Sequence, residues 1–155
     1  MSPGDTAQRR SEWPELRIRP AGRVILLDPD DRVLLMRYDD GPPGGGLNPG
    51  EDYASGAARE LAEETGWDDI VLLGEIHQWT HTMEYDEAIV RQVERFFLAR
   101  TSQPQREIIG VETMHARDGI ATWRWWTLAE LDATAEAIWP AELPDLIRSA
   151  TATRA

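Results

Sequence analysis

Residues Gly45–Trp67 have the sequence GGLNPGEDYASGAARELAEETGW, the most informative stretch of this chain. Three of its carboxylates, Glu60, Glu63 and Glu64, stand at positions i, i+3 and i+4, which share one face of a helix. They occupy the last turn before Gly66, a residue suited to end a helix. Because the C-terminal end of a helix carries partial negative charge, acids are unfavourable there. A divalent cation on this face would explain the surplus charge, since hard cations take oxygen ligands.

The stretch resembles the Nudix box, the signature of the MutT-like Nudix hydrolases, whose pattern is G-x5-E-x7-R-E-U-x-E-E-x-G-U with U a bulky aliphatic residue. Every defined position is met except the last, where Trp67 keeps the bulk and apolarity. The resemblance implies an α/β protein with the Nudix fold, a mixed β-sheet sandwiched between α-helices. It also implies a metal-dependent enzyme that hydrolyses the P–O–P linkage of a nucleoside diphosphate joined to another moiety. We expect Mg²⁺ as the cofactor, with Mn²⁺ able to substitute.

The resemblance assigns metal ligation to particular residues of the box. These are Glu60 and Glu64, often with Glu63, and the backbone carbonyl of Gly44 just before the box. The family takes its general base either from a box glutamate or from a later loop. The predicted catalytic residues are therefore Glu60, Glu63 and, in the loop, Glu112, preferred to Glu107. A solvated loop acid is the alternative for Glu112.

Structural support for the site is predicted from Gly45, Glu51 and Arg59. Arg59 points to a different sector of the helix from the acidic face and would pair with Glu51, tying the loop to the helix. The alternative is an ordinary surface salt bridge, which contributes under about 1 kcal/mol.

Composition limits the partners of this 155-residue chain. Its formal net charge of −12 predicts that it repels nucleic-acid polymers and anionic membranes. It contains no Cys, and all 16 of its basic residues are Arg, which excludes disulfides and a Walker A lysine. No apolar run is long enough to span a membrane, and no secretory signal is visible. We therefore expect a cytoplasmic protein that binds a small phosphorylated nucleotide-type substrate. A homodimer is an open alternative for its oligomeric state.

Hydrophobic patterning predicts a flexible N-terminal tail over residues 1–15 and a single Nudix domain over residues 16–150. Strands are expected at 16–28 and 32–38, forming a hairpin, and at 70–79, 89–100 and 122–126, with Gly- and Pro-rich loop over 39–50. Helices are expected at 53–65, from a capping box at Thr127, and from Pro140 or Pro144 to about Ala150.

The fourth predicted strand, IVRQVERFFLAR, is polar on both faces in its first half. Arg91 and Arg95 fall on one face, and Gln92 and Glu94 on the other. An edge strand would explain this pattern, and so would a strand that lines a polar cavity. On the second interpretation all four residues bind substrate, with Arg suited to phosphate because its planar fork donates paired hydrogen bonds.

The segment TWRWW at 122–126 has two interpretations, core packing or a stack against a nucleobase. The substrate stays open among nucleotides, nucleotide sugars and dinucleoside polyphosphates. Tyr85 lies where dinucleoside polyphosphate hydrolases tend to carry a tyrosine. A catalytically silent nucleotide-sensing module is the alternative to an enzyme, although such a module would be expected to lose box glutamates and none is lost.

Overall fold

The computed structural model describes residues 16–36, 41–109 and 123–152. The predicted tail at 1–15, the catalytic candidate Glu112 and most of its loop lie outside the described residues. In chain order the strands are β1 (Ile18–Leu27), β2 (Val33–Met36), β3 (Gly44–Gly46), β4 (Leu72–Tyr85), β5 (Ala88–Arg100) and β6 (Trp123–Trp126). The helices are α1 (Tyr53–Thr65), α2 (Leu128–Ala133) and α3 (Leu143–Ala152).

The strands form one mixed sheet in the order β4-β5-β1-β2-β6, and β3 pairs with β1 outside this path. Strands β1 and β2 form the predicted antiparallel hairpin, with Leu27 opposite Val33. Strand β1 also runs parallel to β5 along its whole length. The predicted mixed sheet is therefore confirmed.

Helices cover both faces of this sheet. One apolar cluster joins β1 and β5 to α1 through Val24, Leu26, Leu61 and Phe97. The other lies on the opposite face, where Ile25 and other residues of the sheet pack against α2 and α3. Helix α1 approaches β1 so closely that a Cβ on Gly22 would lie 2.5 Å from the carbonyl oxygen of Tyr53. The predicted sandwich of sheet and helices is confirmed.

Helix α1 has the predicted bounds because both of its ends carry specific caps. The Asp52 side chain accepts a hydrogen bond from the Ser55 amide at the N-terminus. At the C-terminus Gly66 adopts the left-handed conformation, with φ of 81°. The capping box predicted at α2 is also present, between Thr127 and Glu130.

Three strand predictions need correction. Residues 44–46 were expected in a loop, but their backbone pairs with residues 21–23 of β1, although glycine has low strand propensity. Strand β4 continues six residues beyond the expected end at Trp79 because its partner β5 extends equally far. Finally, β5 is not an edge strand, since it lies between β4 and β1.

Candidate active site

The last two turns of α1 bring two carboxylates against the glycine strand β3. Glu64 is buried, with 4% of its surface exposed, and its Oε1 accepts a hydrogen bond from the Gly44 amide at 3.0 Å. Glu60 lies so close to β3 that a Cβ on Gly45 would be 2.7 Å from its carboxyl carbon. A larger residue at position 45 would therefore displace the Glu60 carboxylate from its place beside β3.

Arg59 connects the loop before α1 to the acidic face of the helix. Its Nε and Nη2 donate to the two carboxylate oxygens of Glu51 at 2.8 and 2.9 Å, so the predicted pair is present. Its Nη1 donates to both Glu60 and Glu63 at 3.1 Å. Nη2 also donates to the carbonyl of Gly46 in β3 at 3.0 Å. One guanidinium thus fixes the loop, the helix and the glycine strand together.

Charge and hydrogen bonding in this group change the acidity of Glu51. The Arg59 guanidinium, together with the amide of Asn48, lowers the pKa of Glu51 from its ordinary value of 4.5 to about 2. The carboxylates in turn raise the pKa of Arg59, and Glu51 contributes most to that rise. Both groups therefore stay charged throughout the neutral range.

The residues predicted to bind metal fit a hard divalent cation in chemical type. Glu60 and Glu64 place their carboxylates beside the backbone of β3. Carboxylate oxygens are ligands that Mg²⁺ prefers. Glu63 is about half exposed and turns to Arg59. Within residues 16–36, 41–109 and 123–152, no three acidic or histidine side chains are grouped closely enough to hold a metal ion. The donors are present, but Glu60 and Glu63 both accept hydrogen bonds from Arg59, whereas Glu64 accepts one from the Gly44 amide.

The Gly44 carbonyl, predicted as a metal ligand, already has a partner within the chain. Nη1 of Arg23, from the neighbouring strand β1, donates to this oxygen at 3.1 Å. The second lone pair of a carbonyl oxygen is available for another interaction. Gly44 is therefore held at both polar backbone atoms, at its amide by Glu64 and at its carbonyl by Arg23.

A cavity of about 460 Å³ borders the acidic helix face at Glu60. Arg19 of β1 and Arg17 just before this strand line it, together with Asn48 of the loop before α1. Arginine guanidinium groups beside a carboxylate-rich helix form an environment suited to a metal-bound phosphate chain. We call this space the arginine cavity.

A second cavity, of about 420 Å³, shares Arg19 and Tyr85 with the first. Trp79 and Trp139 supply aromatic walls to this aromatic cavity, their ring centroids 5.7 Å apart. Trp79 also stacks on His81 at 3.9 Å. Apolar rings with a few polar groups among them are typical of small-ligand sites.

The four residues predicted to bind substrate are divided between two faces of β5, as their alternation indicated. Gln92 and Glu94 are buried and line the aromatic cavity. Arg91 and Arg95 project from the other face, where Arg91 is exposed and Arg95 lies over the Tyr53 ring and 3.7 Å from Glu75. Neither Arg91 nor Arg95 lines the arginine cavity or the aromatic cavity.

The arginines that do reach the two cavities come from β1 and the residue just before it, a segment not expected from the sequence to bind substrate. Arg19 donates to the Gln92 side chain at 2.6 Å and lies over the Tyr85 ring at 4.0 Å. Arg23 pairs with Glu94 at 2.7 Å. Three arginines within residues 17–23, at the start of an otherwise apolar strand, were the available signal.

The tryptophan segment of β6 packs into the protein interior. Trp126 is buried in the core, and Trp125 stacks against Trp67 with ring centroids 6.5 Å apart. Core packing is therefore the correct interpretation for these two residues.

Of the loop candidates for general base, Glu107 is exposed and its backbone carbonyl accepts a hydrogen bond from Trp67.

A family model for the NUDIX domain matches residues 17–147, which is most of the chain. The chain belongs to the Nudix family. RNA pyrophosphohydrolases are among its relatives: that of Caulobacter vibrioides is 34% identical over 140 residues and covers 79% of this chain and 77% of the relative. The RNA pyrophosphohydrolase of Acidiphilium cryptum is 32% identical over 124 residues, a match that covers 74% of this chain and 73% of that relative. Among solved structures, the Ap4A hydrolase of C. elegans matches with a TM-score of 0.60 at 22% identity, covering 89% of this chain and 99% of the other.

This chain is therefore a Nudix pyrophosphohydrolase, a hydrolase that acts on acid anhydrides. Nudix hydrolases generally use divalent metals. No helix in the described part of the chain is both long and apolar enough to cross a membrane.

Proposed function

We propose that this Nudix hydrolase cleaves a P–O–P bond in a small nucleoside-diphosphate-type substrate, using Mg²⁺ or, as a substitute, Mn²⁺. The substrate class comprises nucleotides, nucleotide sugars and dinucleoside polyphosphates. The observation that carries this proposal is the position of Glu60, which belongs to the acidic face of α1 and also borders the arginine cavity. A phosphate chain in that cavity would meet carboxylate-held metal on one side and arginines on the other.

The box residues divide into ligands and supports. Glu60 and Glu64, with the Gly44 carbonyl, would hold the cation, and Glu63 would join them after leaving Arg59. When bound, a divalent cation neutralises phosphate charge and lowers the pKa of a coordinated water. Gly45, Glu51 and Arg59 support this arrangement, because Gly45 admits Glu60 and Arg59 ties Glu51 to the helix. Glu60, Glu63 and Glu112 stay the candidates for general base.

The adjoining cavities suggest how a nucleotide would lie. Arg17 and Arg19 would contact the phosphates, while Trp79 and Trp139 would contact the base in the aromatic cavity. Gln92, whose side-chain carbonyl is held by Arg19, would present its amide group to the ligand. The Arg19–Tyr85 pair separates the two compartments and would lie beside the sugar.

A second candidate substrate is the 5′ end of an RNA chain. The similarity to enzymes named RNA pyrophosphohydrolase, 34% identical over most of the chain, favours it. The net charge of −12 opposes it, because polymer binding usually draws on a positive surface. Binding of small substrates rather than polymers therefore stays our prediction, as do cytoplasmic location and the alternative of a homodimer.

A phosphate-release screen with Mg²⁺ and Mn²⁺ tests the proposal. It would compare nucleoside triphosphates, nucleotide sugars and dinucleoside polyphosphates with an RNA oligonucleotide carrying a 5′-triphosphate. A higher kcat/KM for a small substrate than for an oligonucleotide ending in the same nucleotide supports the proposal. The reverse order would assign the enzyme to RNA ends, and activity that survives complete chelation of metal would contradict metal dependence.

A further inference from the structure

The buried carboxylate of Glu94 lies at the wall of the aromatic cavity, but its oxygens are occupied by other side chains of the protein. Only 1% of its side chain is exposed, yet both oxygens have partners: Oε1 accepts from Arg23 Nε at 2.7 Å, and Oε2 lies 2.6 Å from His81 Nε2. Burying a charge is unfavourable unless it is paired and hydrogen-bonded. With both oxygens engaged, Glu94 is placed to hold Arg23 rather than to activate water.

Arg23 carries this connection from the aromatic cavity to β3. While Nε contacts Glu94, Nη1 donates to the Gly44 carbonyl at 3.1 Å, and the guanidinium carbon lies 4.8 Å from the centre of the Trp139 ring. Residues 23 and 44 are also direct partners in the β1–β3 pairing. Because a guanidinium is a rigid planar fork, fixing Nε against one carboxylate also fixes the direction of Nη1.

Gly44 leaves little freedom at this contact. A Cβ at this position would lie 2.2 Å from the Gly22 carbonyl oxygen and 2.6 Å from Cδ of Arg23, and the residue has φ of 152°. Its amide donates to Glu64, a predicted metal ligand. A continuous chain of contacts therefore runs from Glu94 through Arg23 and Gly44 to Glu64.

We propose that Arg23, locked by Glu94, is a positioning residue that sets the orientation of the Gly44 carbonyl for the catalytic metal. This inference rests on the proposed function, in which that carbonyl is a metal ligand. Groups that hydrogen-bond to metal ligands orient them, and changing such groups usually lowers metal affinity by about 10–100-fold. The contact of Arg23 with the aromatic cavity makes the same side chain a neighbour of the substrate.

The test measures Mn²⁺ binding by electron paramagnetic resonance, without substrate. The double variant Arg23→Met, Glu94→Met removes one positive and one negative charge, so the net charge near the metal stays unchanged. Replacing a buried ion pair by apolar residues is often neutral for stability. We expect Mn²⁺ affinity to fall by about tenfold or more. The control is the double variant Arg106→Met, Asp69→Asn. It removes an ion pair that is more exposed than the Arg23–Glu94 pair and includes no residue of β3. Its affinity should stay within about twofold of wild type.

A second variant keeps the proposal testable if the double variant fails to fold. Arg23→Lys retains the positive charge but lacks the fork, so it should also lose about tenfold in Mn²⁺ affinity. Wild-type Mn²⁺ affinity in either folded variant would overturn the positioning role while leaving the proposed function intact. A wild-type protein that binds no Mn²⁺ and hydrolyses no substrate would instead overturn the proposed function.

Discussion

Two arginines hold the glycine strand β3, one at each end, and they do so in different surroundings. Arg59 donates to the Gly46 carbonyl at 3.0 Å and Arg23 to the Gly44 carbonyl at 3.1 Å. The Arg59 side chain is 25% exposed and shares three carboxylates, whereas that of Arg23 is 12% exposed and has Glu94 as its ion-pair partner. The arginine at the Gly46 end is therefore held by three carboxylates, whereas the arginine at the Gly44 end depends on one buried ion pair.

This difference has an energetic consequence. Near the surface, solvent screens each ion pair and the remaining carboxylates can replace a lost partner. In the interior, loss of one partner leaves an uncompensated buried charge. The contrast predicts that variants at the Arg23 end damage stability most, while variants at the Arg59 end act mainly through the charge of the site.

The largest effect is expected from Glu94→Leu, which leaves Arg23 without its carboxylate. Removing one partner of a buried pair should lower the free energy of unfolding by about 3–5 kcal/mol. Glu63→Leu, at a side chain 49% exposed, removes one of the three carboxylates of Arg59 and should cost under about 1 kcal/mol. Urea unfolding followed by circular dichroism measures both. Equal losses in the two variants would contradict the proposed contrast.

Next in size is Glu64→Gln, which alters the residue that holds the Gly44 amide. The substitution keeps the size of the side chain but removes one charge from the predicted cation site. We expect kcat to fall by on the order of 10²-fold with the fold intact, since charge stabilisation at a metal contributes several kcal/mol. Glu142→Gln, at an exposed acid near His77, is the control for simple charge removal. A Glu64→Gln variant with the wild-type rate on every substrate would exclude Glu64 as a working ligand.

The third prediction concerns the metal itself. Because acids crowd one face of α1, Mg²⁺ or Mn²⁺ should raise the thermal midpoint of the wild-type protein. At ten times the dissociation constant, binding adds about 1.4 kcal/mol to the free energy of unfolding. The rise should shrink in Glu64→Gln and persist in Glu142→Gln. An unchanged wild-type midpoint at millimolar metal, with no metal-dependent activity, would exclude a metal site.

The Arg59 end of β3 was largely predictable from sequence because its information is local. Glu51, Arg59 and the box glutamates lie within 14 residues of one another, and caps at Asp52 and Gly66 fix the helix that carries them. Helical spacing then determines which side chains share a face. The same locality explains why the β1–β2 hairpin followed from hydrophobic patterning, whereas the mixed sheet was expected from the resemblance of the box to a known family.

The Arg23 end was not predictable in the same way because it depends on long-range pairing. Arg23 and Glu94 are 71 residues apart and meet because β1 lies parallel to β5. Alternation correctly separated Glu94 from Arg95 but could not say which face carries the cavity. The aromatic cavity also needs His81 in the part of β4 beyond Trp79, where the sequence was expected to leave the strand. Register across a sheet, not local composition, placed these residues together.

The smallest expected effect is a pH dependence from the Arg59–Glu51 pair. The pKa of Glu51 is lowered from 4.5 to about 2 in the folded protein, so folding favours its charged form. The stabilisation is fully present above pH 4.5, where the unfolded chain is also ionised, and is lost as pH falls from about 4.5 to about 2. The thermal midpoint of wild type should therefore exceed that of Glu51→Gln at pH 6, and this difference should shrink over that acidic window. Because the two side chains are 15% and 25% exposed, solvent screening keeps the effect small. A difference that stays constant down to pH 2 would show that Glu51 supports the loop by its shape alone rather than by its charge.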